Sequence, residues 1–365
     1  MLPSKYIAVD RFLFKVLSYV TLFFLLSLFH ALYWFEKREG TMKIQKQQAM
    51  RTVLYALAPL CLASIYFFGW RFIAVFLVVG VTALVCEWLM SRRYGYKITE
   101  SLFVSCTLFA LSLPPTIPLW IASVGMAFGI IFGKMIFGGF GKNIFNPAIT
   151  ARAFVYISFG VPMTSRFVIN ATSLSWFPAG FGSWTIQADS ISSATPLVTK
   201  DVPLMDMVLG FTSGSFGETS AILILLGGLF IIYKKAANWK IVVSSIGSFL
   251  ILQTIFWASG LQVATESGLQ AVVNPLSALL GGSFLLAAFF MITDPVSASQ
   301  STDTGRWIYG AMFGILTVLI RTFSVWVEGV TFAILLANMF APLLDTLLKS
   351  AKTKKKLKTE QGGAA

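Results

Sequence analysis

Two groups of residues in this chain have types and spacings that could do chemistry. The first is a run of small hydroxyl residues, Asp189-Ser-Ile-Ser192-Ser193-Ala194-Thr195-Pro196, set in the long polar stretch of an otherwise apolar sequence. A threonine hydroxyl is a weak nucleophile unless a base or metal activates it, and the single histidine, His30, lies nowhere near this stretch. Thr195 therefore reads as an acceptor that a second enzyme could grip and modify, with small neighbours on one side and Pro196 keeping it extended. A serine-rich turn without chemical consequence accounts for the same residues. The second group is acidic: Glu100, Glu218 and Asp345 each open or close an apolar segment, and Glu87 and Asp294 are weaker members. A charge placed in hydrocarbon costs roughly 2.5–3.5 kcal/mol on insertion scales. Carboxylates at such places are candidate ion sites, since oxygen ligands suit hard cations; the plainer reading of each is an ion pair with Arg152, Arg321 or a helix end.

The elements that must position these groups follow from composition. Of 365 residues, 56% are hydrophobic and 12% charged, and the mean hydropathy is +0.78, whereas soluble domains carry about a quarter charged residues. The chain is therefore expected to be an integral membrane protein. A net charge of +13 does not point to nucleic acid, because the basic residues sit in short gaps between apolar runs and not on one face. Cys61, Cys86 and Cys106 have no paired spacing, and with one histidine no metal or haem site is expected. Met1 to Asp10 lacks the features of a cleavable leader, so the N-terminus is expected to stay.

Apolar segments near the length that crosses about 30 Å of hydrocarbon are read at 53–69, 71–90, 119–137, 219–233, 240–258, 308–322 and 327–347. Shorter or broken ones are read at 100–113, 148–160 and 275–292, bounded by Leu113-Pro-Pro, Asn146-Pro, Asn274-Pro and Asp294-Pro. Residues 12–35 suit an interfacial helix, their depth left open. The expected fold is all-α and polytopic, with about ten transmembrane helices in two inverted five-helix repeats. Its parts are an N-terminal segment 1–52, repeats over 53–160 and 219–347, a loop over 161–218 and a basic tail over 348–365. The repeat rests on Gly125-Met-Ala-Phe-Gly-Ile130 and Gly310-Ala-Met-Phe-Gly-Ile315; inverted repeats place ion sites near the midplane at broken helices. All but five of the 28 lysines and arginines fall on the N-terminal side of such a layout, the exceptions being Arg71, Arg152, Arg166, Lys200 and Arg321. The positive-inside bias then puts both termini in the cytoplasm and the 161–218 loop outside. Asn146-Pro-Ala and Asn274-Pro-Leu superficially suggest a water channel, but Arg152 stands six residues after Asn146, not three, and ten segments exceed six.

Several stretches resemble one family. The run Asp189-x-x-Ser192-Ser193-Ala194-Thr195 is similar to the flavinylation motif of the NqrB/RnfD family, the B subunits of sodium-translocating NADH:quinone reductases and the D subunits of Rnf complexes. Ser193 replaces the usual glycine. Leu113-Pro-Pro-Thr-Ile-Pro-Leu-Trp120, Phe137 to Ala148, Gly214-Ser-Phe-Gly-Glu-Thr-Ser220, Thr293-Asp-Pro-Val-Ser297 and Phe340-Ala-Pro-Leu-Leu-Asp345 occur in family order. The resemblance implies FMN on Thr195 through a phosphoester, installed by a flavin transferase from FAD, with Asp189, Ser192, Ser193 and Ala194 forming the recognised motif. It also implies riboflavin or quinone (ubiquinone) bound at the membrane and five further subunits in a translocase of the bacterial inner membrane. In such a complex electrons pass from NADH to quinone as Na+ leaves the cytoplasm, and Glu100, Glu218 and Asp345 fall in motifs associated with sodium movement. The Rnf-type alternative would connect ferredoxin and NAD, and a flavin-free transporter is the reading from another class.

Overall fold

The computed structural model describes residues 45–95, 97–164, 184, 203–218, 220–265, 268–324 and 329–362. Asp189, Ser192, Ser193, Ala194, Thr195 and residues 12–35 lie outside the described residues.

The apolar segments become helices: α1 Gln48–Phe68, α2 Arg71–Tyr94, α3 Ser101–Leu111, α4 Leu119–Ile130, α5 Pro147–Ser158, the short α6 Gly160–Thr164 and α7 Leu204–Leu209, α8 Ala221–Tyr233, α9 Trp239–Ala258, α10 Pro275–Leu280, α11 Phe284–Leu286, α12 Asp303–Phe323 and α13 Val330–Gly362. Among the described residues four stretches, Gln48–Phe68, Arg71–Tyr94, Trp239–Ala258 and Val330–Thr353, are long and apolar enough to cross a membrane. The chain is a predominantly helical membrane protein. One short antiparallel hairpin, β1 Gln262–Thr265 with β2 Gly268–Ala271, joins a chain otherwise consistent with the all-α expectation.

Local chemistry explains most helix ends. Asn146 and Asn274 each precede a proline at the first helical position and each accept a backbone N–H through Oδ1, from Ala148 (3.0 Å) and Leu276 (2.9 Å), the arrangement expected of an asparagine cap with proline behind it. α3 stops at Leu111, just short of the paired prolines. Two helices end in wider turns. In α4 the ladder slips to a five-residue spacing over Ile131–Met135, where Ile136 N donates to Ile131 O (3.0 Å) and Gly139 N to Lys134 O (3.2 Å); Gly138 and Gly139, both at positive φ, then turn the chain back. The segment read as short or broken over 275–292 is interrupted at Gly281-Gly282 and finishes in a similar wide turn over Ala287–Met291.

Packing is close where glycines face backbone. A Cβ on Gly129 of α4 would stand 2.6 Å from the Pro147 carbonyl oxygen of α5, and one on Gly314 of α12 would stand 2.4 Å from Ser245 O of α9. Small residues let membrane helices approach in this way. The two halves of the sequence show parallel neighbours: α2 lies along α4 as α9 lies along α12, and α1 packs on α3 as α8 packs on α11. Between the halves, α1 contacts α8 and α5 contacts α13.

Candidate functional site

The broken helices converge on a cavity of ≈ 40 Å³ lined by Ser101, Ser105, Lys134, Asn143, Asn146 and Asp294, among others. At about 10–15 Å³ per water-sized occupant, it admits a few waters or a partly hydrated ion. Residues from both halves hold its rim. Asn146 Nδ2 donates to Met291 O (3.3 Å). The fully buried Asn338 of α13, with its amide turned so that both ends are satisfied, accepts from Asn146 N (3.2 Å) and donates to Tyr309 Oη (2.6 Å) and Ser297 O (3.3 Å). Asp294 accepts from the Ser297 hydroxyl (2.7 Å) and from the Ser297 and Val296 N–H groups, which fixes the turn that follows the second wide turn.

On the cavity wall Lys134 and Glu87 form a buried ion pair, 2% and 0% exposed, with Nζ 2.7 Å from Oε2. By sequence Lys134 is counted with the basic residues on the N-terminal side although it falls within the 119–137 segment; it projects from the wide turn ending α4 into the protein. The clue available in sequence is that Glu87 and Lys134 both fall inside apolar segments, where opposite charges are tolerable only as partners.

The three acids singled out from sequence lie in separate places. Glu100, at the start of α3, receives Arg51 Nε (2.7 Å), Arg51 Nη2 (2.5 Å) and Gln47 N (2.5 Å). Its partner is neither Arg152 nor Arg321. Because α1 begins at Gln48, ahead of the expected Val53, Arg51 sits on that helix. The guanidinium, followed by the Gln47 N–H, holds the Glu100 carboxyl below the usual carboxylate range. Glu218 is buried and pairs with Arg152 Nη2 of α5 at 3.2 Å, while its other oxygen accepts from Ser215 N (3.4 Å). Asp345 on α13 receives the Ser299 and Ser301 hydroxyls, both at 2.5 Å. Arg321 spans to the Ala278 and Gly281 carbonyls (2.7 and 3.4 Å) and so ties down the broken α10.

Discontinuous helices around a cavity that Lys134 and Asp294 help to line define a class: polytopic membrane proteins whose irregular backbone lines an interior cavity. The sequence comparisons give the family. Residues 40–354 match the profile of the NQR2, RnfD, RnfE family, and the chain belongs to it. It is 37% identical over 298 residues to the B subunit of the Na(+)-translocating NADH-quinone reductase of Ectopseudomonas mendocina, an alignment covering 78% of this chain and 69% of the relative. The proteins of the same description from Pseudomonas paraeruginosa, 35% identical over 78% of this chain and 69% of the relative, and Haemophilus influenzae, 36% identical over 78% and 68%, are similar to a comparable degree.

Proposed function

We propose that this chain is the membrane subunit of a sodium-translocating NADH:quinone reductase and that Thr195 carries FMN as a phosphoester. The observation that carries this reading is the 37% identity over 298 residues to the B subunit of such a reductase, which fits the flavinylation-type run at Asp189–Thr195. FMN supplies one-electron carriage, and the protein supplies its position and surroundings. The threonine hydroxyl would take the FMN phosphoryl group from FAD with loss of AMP, on the outer face that the basic-residue bias assigns to the 161–218 loop.

The scaffold of this reading is a pair of inverted five-segment repeats. The parallel neighbours of α2–α4 and α9–α12, and the contacts α1–α8 and α5–α13 between halves, support it more than the six-residue match around Gly129 and Gly314 does. Those glycines serve different partners, α5 in one case and α9 in the other. Such a fold gates by rocking one half against the other around a fixed polar centre. Along the ion path Asp345, with two serine hydroxyls, and Glu100 would bind Na+ transiently. Glu218, held by Arg152, would act through that pair.

The test is purification through a tag on this chain, followed by turnover assays. The reading expects five co-purifying subunits, quinone reduction by NADH, and a rate that rises with Na+. Ferredoxin-dependent NAD reduction would instead establish the Rnf-type alternative. Replacing Asp345 by Asn is expected to raise the half-saturating Na+ concentration with flavin content unchanged, and an unaltered Na+ dependence would remove Asp345 from the path.

A further inference from the structure

Lys134 is held in an unusual number of oxygens. Its Nζ lies 2.7 and 3.0 Å from the two oxygens of Glu87, 3.0 Å from Thr99 Oγ1 and 3.1 Å from Ser101 Oγ. An ammonium has three N–H bonds to give, so four close oxygens surround it as they would a spherical ion. The set is braced from within, since Thr99 N donates to Glu87 Oε1 (3.2 Å) and the Thr99 and Ser101 hydroxyls are hydrogen-bonded to each other (2.8 Å). α2 supplies Glu87, the first residue of α3 supplies Ser101, and Thr99 stands two residues before that helix, while the wide turn after α4 supplies only the cation.

Two further observations bear on what this cage is for. Stability alone does not call for it, because a buried ion pair generally gains no more than well-packed apolar residues of similar volume would. Lys134 and Ser101 also line the same cavity as Asp294, which forms no ion pair among the described residues and is held by Ser297 and Val296 alone. Lys134 rides on a wide helical turn, a local defect of the kind found at functional sites, and has a flexible four-carbon stem.

We propose that Glu87, Thr99 and Ser101 form a monovalent-cation site that Lys134 fills with its own ammonium, and that an arriving ion displaces this ammonium across the cavity toward Asp294. The proposal rests on the reading that this chain moves cations. Lys134 then has a defined role, because the cage is never left empty and uncompensated and only one positive charge occupies it at a time. Glu87 binds the occupant, the two hydroxyls complete its shell, and Asp294 receives the lysine.

The purified full complex tests this. Lys134→Met leaves the oxygens without their tethered cation, so added Na+ should occupy the cage. The variant is expected to bind one more Na+ per complex than the double variant Glu87→Gln/Lys134→Met, and its thermal stability should rise with NaCl over choline chloride in a saturable way, as ligand linkage requires. Equal Na+ binding and equal salt response in the single and double variants would overturn the proposal. Should Lys134→Met fail to assemble, Glu87→Gln with the lysine in place decides: the half-saturating Na+ for turnover should rise by about tenfold or more, the factor that about 1.4 kcal/mol of lost attraction gives. A fall in stability with unchanged half-saturation would make the pair merely structural. A wild-type complex whose turnover ignores Na+ would contradict the proposed function, whereas the binding comparison between single and double variants would still judge the cage.

Discussion

At the scale of single residues, chemistry that acts over two or three positions was the easiest to read. The Asn146 and Asn274 caps are set by an asparagine, a proline and the next N–H, all adjacent in the chain. Partners far apart in sequence leave no such mark. Glu100 stands out as an acid at a segment end, but nothing in its neighbourhood names Arg51, and Lys134, a charge inside an apolar segment, does not name Glu87 as its partner. The Glu100 contact predicts a pH dependence. Its carboxyl is held below its free range, chiefly by the Arg51 hydrogen bond and then by the Gln47 N–H. The tether's contribution is therefore fully present above the free carboxylate range and is lost as pH falls through the lowered value. Glu100→Gln should flatten the acid side of the thermal stability profile of the purified complex; an unchanged acid limb would show that the tether contributes nothing there.

At the scale of elements, prolines announced where helices stop, but packing decided how they break. The ends of α3 and the starts of α5 and α10 follow from prolines in the sequence. The gap at Gly281-Gly282 carries its signal in the glycine pair, whereas the wide turns over Ile131–Met135 and Ala287–Met291 and the β1–β2 hairpin have no comparable local signal. The glycine pattern was visible and its meaning was not: Gly129 and Gly314 are among the points where backbones touch. Leucine at either position should cost about 1–3 kcal/mol or more through overpacking against a carbonyl that cannot move aside. Gly80, with nothing within 4 Å of an added Cβ, should accept alanine with no loss, since alanine favours helix over glycine. Thermal unfolding of the purified variants checks both, and equal effects at Gly129 and Gly80 would refute the close-packing account.

At the scale of the whole molecule, composition made the membrane class plain, and the motifs spread from Leu113 to Asp345 carried the family that the profile match over residues 40–354 establishes. The meeting of Lys134, Asp294 and Asn146 around one cavity was not legible, because it depends on how two halves pack. Orientation rests on charge alone. Since most lysines and arginines gather on one side, cysteine introduced at Ser192 should react with an impermeant thiol reagent outside intact cells, while cysteine at Lys352 should not; the reverse labelling would invert the topology. The covalent flavin proposed on Thr195 is open to direct measurement. Mass analysis of tryptic peptides from the purified chain should find the Ala194-Thr195 peptide heavier by FMN less water, and the Thr195→Val variant should lose both this mass and the in-gel fluorescence of the denatured subunit. An unmodified Thr195 peptide in a complex with full turnover, or fluorescence that survives in Thr195→Val, would contradict it.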